Sequence, residues 1–247
     1  MRPNSPFPLI FWQIFVICLS GSISFSCNQT HKQKIPQIEK PDRVLNVGIL
    51  IMEGVYNTEL TAPMDILHHT VFHTEHGMKV FTIADSIHPI TTFEGLRITP
   101  DYGYVNDSFP AIDVLVVPSA EHHLDTDLEN KTMIQFVRET GEKALYVMSL
   151  CDGAFVLAKS GLLDQSESTT FPGDIEKYKQ TFPHLTVHQN VLFVHDGKFI
   201  TSAGRAKSFE PALYLAEMLY GKKAADGIAR GLVIDWDVDE VAKVIVE

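Results

Sequence analysis

One cysteine stands where a predicted strand gives way to a predicted helix. Residues 144–150 read ALYVMSL, which is typical of a buried strand, and Cys151 comes just before the helical pattern that begins at Gly153. A thiol at such a turn lies at the edge of a sheet, where the helix N-terminus favours its thiolate form. Because free cysteines are commonly buried for structural reasons, position alone leaves both a reactive and a structural role open.

The two other cysteines lie near the N-terminus and have different predicted fates. Residues 8–26 are uncharged and apolar and follow Arg2, so residues 1–26 are predicted to be a signal peptide or membrane-targeting segment. Small residues precede Cys27 and resemble the lipobox of bacterial lipoproteins, which predicts lipidation at Cys27 and loss of Cys18. A plain cleaved signal peptide and an uncleaved anchor are the alternatives. The expected location is therefore the cell envelope, as a membrane-anchored lipoprotein or a periplasmic protein.

Composition indicates one folded domain behind a tether. Residues 27–42 are polar and are predicted to be flexible, and residues 43–247 are predicted to form a single domain. The chain of 247 residues carries 31 acidic and 20 basic side chains, for a net charge of −11. This charge argues against nucleic acid as a partner. Three cysteines are too few for a disulfide framework.

Apolar runs alternate with helical patterns through the predicted domain. Such alternation predicts an α/β fold with a doubly wound, mostly parallel sheet and helices on both faces, a flavodoxin-like three-layer sandwich. Ligand sites in these sheets lie beyond the carboxyl ends of the strands, which here are residues 53–59, 118–123 and 150–153. Strands are predicted at 44–51, 79–84, 113–118 and 144–150, and helices at 62–73, 130–140, 153–159 and 209–220. Thr58 or Thr61 is expected to cap the first helix.

Several segments resemble one family in the same order. The sequence LCDGAFVLAKSGLL at 150–163 resembles the nucleophile turn of the ThiJ/PfpI superfamily, which has the class I glutamine amidotransferase-like fold, and in particular its isonitrile hydratase-like branch. The resemblance covers residues 44–231. The other matching segments are TELTAP at 58–63, VVP at 116–118, STT at 168–170, FVHDGK at 193–198 and ITSAG at 200–204.

The resemblance implies a reactive cysteine with an acidic partner. Cys151 matches the nucleophilic, oxidation-sensitive cysteine, and Glu59 matches the acidic residue that hydrogen-bonds or deprotonates the thiol. Read from its position alone, Glu59 has the less favoured alternative of a carboxylate near a helix end. The family implies no organic cofactor, a small-molecule substrate or ligand, and a homodimer, for which residues 241–246 are a candidate interface.

Three departures from the family pattern put an enzymatic role in doubt. Phe171 stands where many members have histidine. Asp152 follows the cysteine, and its charge opposes thiolate formation unless its side chain caps the helix, as we expect. Ser119 and Ala120 replace a glycine pair, although their backbone N–H groups, with those of Asp152 and Gly153, are still expected to form an oxyanion pocket.

The histidines and one arginine are weaker candidates. His69, His73 and His76 would share one face of a continuous helix, but a solvated surface is favoured over a metal site, so no metal is predicted. His122 and Arg205 lie near the expected site. Each is predicted either to contact substrate or to lie on the surface.

Two functions follow as expectations. The first is an exported cysteine-dependent hydratase (a lyase), or an amidohydrolase-like enzyme, acting on a small electrophilic substrate. The second is a non-catalytic ligand-binding or redox-sensing module whose Cys151 is oxidised.

Overall fold

An eight-stranded, mostly parallel sheet forms the centre of the protein. The computed structural model describes residues 33–36 and 38–246. In this sheet the strand order is β12-β10-β11-β7-β6-β1-β2-β5, and every neighbouring pair is parallel except β10 with β11. The strands are β1 Leu45–Leu50, β2 Met78–Ala84, β3 Ile90–Thr91, β4 Arg97–Ile98, β5 Tyr102–Gly103, β6 Val114–Val117, β7 Tyr146–Leu150, β8 Glu167–Ser168, β9 Thr186–Val187, β10 Phe193–Asp196, β11 Phe199–Ser202 and β12 Lys243–Ile245.

Helices cover both faces of this sheet. They are α1 Asn57–His68, α2 Lys131–Lys143, α3 Gly153–Lys159, α4 Ile175–Thr181, α5 Phe209–Tyr220 and α6 Lys222–Gly231. Apolar side chains of α1, α5 and α6 form one core with the sheet, and those of α2, α3 and α4 form a second core. The predicted flavodoxin-like three-layer α/β fold is thus confirmed. Its central strands are continuous apolar runs because both of their faces are covered.

The first helix begins earlier and ends earlier than predicted. It starts at Asn57, where the backbone N–H donates to the Glu94 carboxylate at 2.9 Å, so neither Thr58 nor Thr61 caps it. The helix ends at His68, and a 3₁₀ turn follows over His69–Phe72. The histidines at 69, 73 and 76 therefore do not share one helical face. In the described part of the chain, no cluster of three or more His, Cys, Asp or Glu side chains could hold a metal ion.

The chain ends of the described region meet along one edge of the sheet. Strand β12 pairs in parallel with β10, and the side-chain carbonyl of Gln33 accepts a hydrogen bond from the backbone N–H of Ile245 at 3.0 Å. The described part of the predicted tether therefore contacts the domain. The predicted signal segment and Cys27 lie outside the described residues. Among those described, no helix is long and apolar enough to cross a membrane.

Candidate active site

Cys151 occupies a sharp turn between β7 and α3, as predicted. Its φ of 53° is in the left-handed region, which costs a non-glycine residue roughly 1 kcal/mol or more. Its backbone N–H donates to the Ser202 carbonyl at 2.9 Å, and its carbonyl accepts from the Thr170 hydroxyl at 3.0 Å. Hydrogen bonds from two other segments therefore hold the strained turn. The Cys151 side chain is completely buried.

Two glycines permit the close packing around this turn. A Cβ at Gly153 would lie 2.0 Å from the carbonyl oxygen of Val117, and a Cβ at Gly204 would lie 2.5 Å from both the Cβ and the backbone nitrogen of Cys151. Gly204 also has a φ of 71°. Neither position leaves space for a side chain, so both glycines are needed for the strand ends to converge on the cysteine.

Glu59 reaches the cysteine from the first turn of α1. Its buried carboxylate accepts hydrogen bonds from the backbone N–H of Ser119 at 2.8 Å and of Arg205 at 3.3 Å. Burial raises the pKa of Glu59 to about 7, although these bonds, the charge of Arg205 and a hydrogen bond with the Cys151 side chain oppose the rise. Glu59 thus lies near Cys151 and can gain or release a proton near neutral pH.

Asp152 turns towards the thiol and does not cap the helix. Helix α3 has no side-chain cap from Asp152, so that prediction was wrong. The carboxylate oxygens accept instead from the Thr170 hydroxyl at 3.1 Å and from the Cys151 thiol at 3.5 Å, because these buried donors lie beside it. Burial, followed by the charge of Asp174, raises the pKa of Asp152 to about 6.

The surroundings of Cys151 favour the thiol over the thiolate. Burial raises the pKa of Cys151, and the negative charges of Glu59 and Asp152 raise it further. The charge of Arg205 and the backbone N–H of Asp152 act in the opposite direction and are weaker. The backbone N–H at the helix N-terminus does favour the thiolate, as expected, but burial and two neighbouring carboxyl groups outweigh it.

Arg205 contacts two aromatic rings beside the site. Its guanidinium carbon is 4.3 Å from the ring centre of Tyr56 and 5.0 Å from that of Phe171. Its Nε lies 3.8 Å from Oε1 of Glu59. Phe171, which replaces the histidine seen in many family members, thus supplies an apolar ring to Arg205. Sequence reasoning missed Tyr56, for which the only available signal was its position three residues before Glu59.

The predicted oxyanion pocket is not formed as expected. The backbone N–H of Ser119 donates to Glu59, and that of Ala120 donates to Nδ1 of His123 at 3.2 Å. Neither group is free to stabilise an oxyanion in this structure. The N–H of Asp152 does face the sulfur and remains suited to that role.

His122 and His123 lie in the turn that follows β6, and the contacts described for them are with residues other than Cys151. His123 is fully buried, with its Nε2 3.1 Å from the sulfur of Met52, and burial lowers its pKa to about 3, so it is neutral. His122 is half exposed, and its Nδ1 lies 3.5 Å from an Asp125 carboxylate oxygen. Its predicted contact with substrate stays a prediction.

The sheet order and the cysteine turn define the class of the protein, a flavodoxin-like α/β protein with a cysteine at the strand-to-helix elbow. The model of the DJ-1/PfpI family matches residues 45–218. The chain therefore belongs to the DJ-1/PfpI family, and the resemblance seen in the sequence is confirmed.

The similar proteins include one that is named as an enzyme and others that are named only as family members. Isonitrile hydratase from Pseudomonas putida is 28% identical over 182 residues, which cover 73% of this chain and 75% of that protein. Protein dj-1beta from Drosophila melanogaster is 23% identical over 191 residues, covering 76% and 97%. The crystal structure of a THiJ/PfpI family protein from Pseudomonas syringae matches with a TM-score of 0.67 at 21% identity, covering 88% and 84%. At that identity the likeness shows the fold.

Glu59 is expected to make the stability of the protein depend on pH. Because its pKa is about 7 in the folded protein and about 4.5 when unfolded, the folded state binds more protons between these values. The free energy of unfolding should therefore fall as pH rises from 4.5 to 7, by at most about 3 kcal/mol. Urea unfolding across this range measures the slope.

Glu59→Gln should flatten this slope. Glu129→Gln is the control and should leave the slope unchanged, because the side chain of Glu129 is 78% exposed. An identical slope in wild type and Glu59→Gln would show that Glu59 ionises normally.

Proposed function

We propose that the protein is an enzyme that hydrates a small electrophilic substrate such as an isonitrile. Cys151 is the nucleophile and Glu59 carries the proton. The observation that carries this proposal is the buried contact between a protonated thiol and a carboxyl group that titrates near neutral pH. Acid–base catalysis is most effective when the pKa of the catalytic group lies near the working pH.

An isonitrile suits a protonated thiol because its terminal carbon carries a lone pair that must first accept a proton. Addition of the Cys151 S–H across this carbon forms one C–H and one C–S bond and gives a thioimidate, R–N=CH–S–Cys. Water then adds to the same carbon, and the C–S bond breaks. The products are a formamide, R–NH–CHO, and the free thiol, so the sum is one isonitrile plus one water.

The carboxyl groups beside the sulfur supply the proton transfers of this sequence. Glu59 hydrogen-bonds with the thiol and can pass its proton to the substrate carbon or nitrogen and recover one from water. Because the reaction uses a thiol and a carboxyl group, the phenylalanine at position 171 does not prevent it. The relative named isonitrile hydratase supports this choice of substrate.

The alternative of a redox sensor is less well supported by the site. Oxidation by peroxide requires a thiolate, whereas burial and two carboxyl groups raise the pKa of Cys151. Turnover of an isonitrile indicates the enzyme, and stoichiometric oxidation of Cys151 without turnover indicates the sensor.

Turnover of small alkyl isonitriles should depend on Cys151. Cys151→Ala should lower formamide production, followed by NMR, by about 1,000-fold or more, and Glu59→Gln should lower kcat by about 100-fold. Ser149→Ala is the matched control, because Ser149 is equally buried two residues earlier on β7 and its hydroxyl has no hydrogen-bond partner. Full turnover by Cys151→Ala would refute the mechanism. Absence of turnover, with stoichiometric oxidation of Cys151 by mild peroxide, would establish the sensor instead.

We further propose that the protein is exported and anchored to the membrane through lipid on Cys27. The support is the uncharged apolar stretch at 8–26 and the small residues before Cys27. Bacterial cells grown with an alkyne-tagged fatty acid should label the wild-type protein and Cys18→Ala, but not Cys27→Ala. Labelling that persists in Cys27→Ala would exclude this anchor.

A further inference from the structure

Four side chains form a cluster beside the cysteine site, called here the arginine cluster, which consists of Phe93, Tyr56, Arg205 and Phe171. The ring of Phe93, in the loop between β3 and β4, lies 4.7 Å from the ring of Tyr56. The guanidinium of Arg205 lies over the ring of Tyr56 and also over the ring of Phe171. Two separate chain segments thus contact the arginine side chain, and a third packs against Tyr56.

The arginine cluster is more exposed than the reacting groups. Cys151 and Glu59 are fully buried, and Asp152 is 5% exposed. In contrast, the side chain of Arg205 is 44% exposed, and Phe93 is 52% exposed. The positive charge of Arg205 is therefore accessible from solvent, while its Nε lies 3.8 Å from the buried carboxyl group of Glu59.

The N–H groups of the guanidinium are its binding surface. All five lie in the guanidinium plane, whose central carbon lies over the rings of Tyr56 and Phe171, and one of them hydrogen-bonds with the Tyr56 side chain. The distance of 3.8 Å from Nε to the Glu59 carboxylate is too long for a hydrogen bond, so this ion pair does not hold the donors tightly. A planar fork of donors held in this way fits a carboxylate, which accepts two parallel hydrogen bonds.

The backbone at Arg205 indicates that this placement is specific. Arg205 has a φ of 57°, a conformation that is unfavourable for a residue with a side chain. Its backbone N–H donates to Glu59, so the same strained residue contacts the catalytic carboxyl group through its main chain and faces it with its side chain.

We propose that Arg205, which contacts the rings of Tyr56 and Phe171, anchors a carboxylate group of the substrate, so that the site takes small anionic substrates whose reacting carbon then meets Cys151. The proposal rests on the proposed hydration for its chemistry, but the anchoring can be measured without it.

A bound carboxylate would also assist the reaction. Its negative charge partly neutralises the positive charge of Arg205, a charge that lowers the pKa of Glu59. Binding of the carboxylate therefore favours the protonated form of Glu59. With Glu59 and Asp152 both protonated, the arginine charge is left for the substrate. Anchoring and proton donation therefore support each other.

The direct test compares isocyanoacetate with its neutral methyl ester. The wild-type enzyme should favour the anion in kcat/KM by about 10- to 100-fold, the range expected for a charge-assisted pair of hydrogen bonds. Arg205→Met should bring this ratio close to one, and Arg205→Lys, which keeps the charge but loses the fork, should give an intermediate ratio. Lys207→Met should keep the wild-type ratio, because this exposed lysine of the same turn pairs with Glu210 and is not part of the arginine cluster.

A second measurement separates this proposal from the proposed function. Propionate should bind the wild-type protein in isothermal titration calorimetry, propionamide should not, and the binding of propionate should disappear in Arg205→Met. Binding of this kind without turnover of either isonitrile would support the anchor while refuting the hydratase. Equal turnover of acid and ester by wild type, with no binding of propionate, would overturn the anchor and leave the hydratase standing.

Discussion

Burying a thiol beside two carboxyl groups limits how much charge the site can hold. Cys151, Glu59 and Asp152 have almost no contact with water, and each negative charge makes the next one less favourable. The half-exposed guanidinium of Arg205 compensates this charge only in part. As a result the sulfur keeps its proton, while the carboxyl groups release theirs near neutral pH. This distribution of protons distinguishes the site from a thiolate nucleophile and favours substrates that must be protonated when they are attacked.

The fold creates this arrangement from segments that are far apart in the chain. The parallel strands β6, β7 and β11 end at the same edge of the sheet, and α1 brings Glu59 to that edge. Gly153 and Gly204 let these segments approach so closely that no side chain fits between them. The strain at Cys151 is therefore maintained by packing and hydrogen bonds from several elements, as is usual for residues that perform chemistry.

Features that depend on a local sequence pattern could be predicted. Features that depend on contacts with residues far away in the chain were predicted wrongly. The buried strands and the elbow at Cys151 could be predicted because continuous apolar runs and a strand-to-helix boundary are local signals. The start of α1 could not be predicted, because the carboxylate that accepts the N–H of Asn57 belongs to Glu94, 37 residues further along the chain. Asp152 was misassigned for the same reason, since the hydroxyl that binds it lies 18 residues further along the chain. The amide of Ser119 was likewise taken by a carboxylate 60 residues away.

The protonation state of Cys151 tests this account most directly. Ultraviolet absorbance of the thiolate, taken as the difference between wild type and Cys151→Ser, gives the pKa of this one thiol. The account predicts a value above the ordinary 9.0 for cysteine, and a lower value in Asp152→Asn, which removes a neighbouring negative charge. A thiolate that is already formed at neutral pH in the wild-type protein would contradict it.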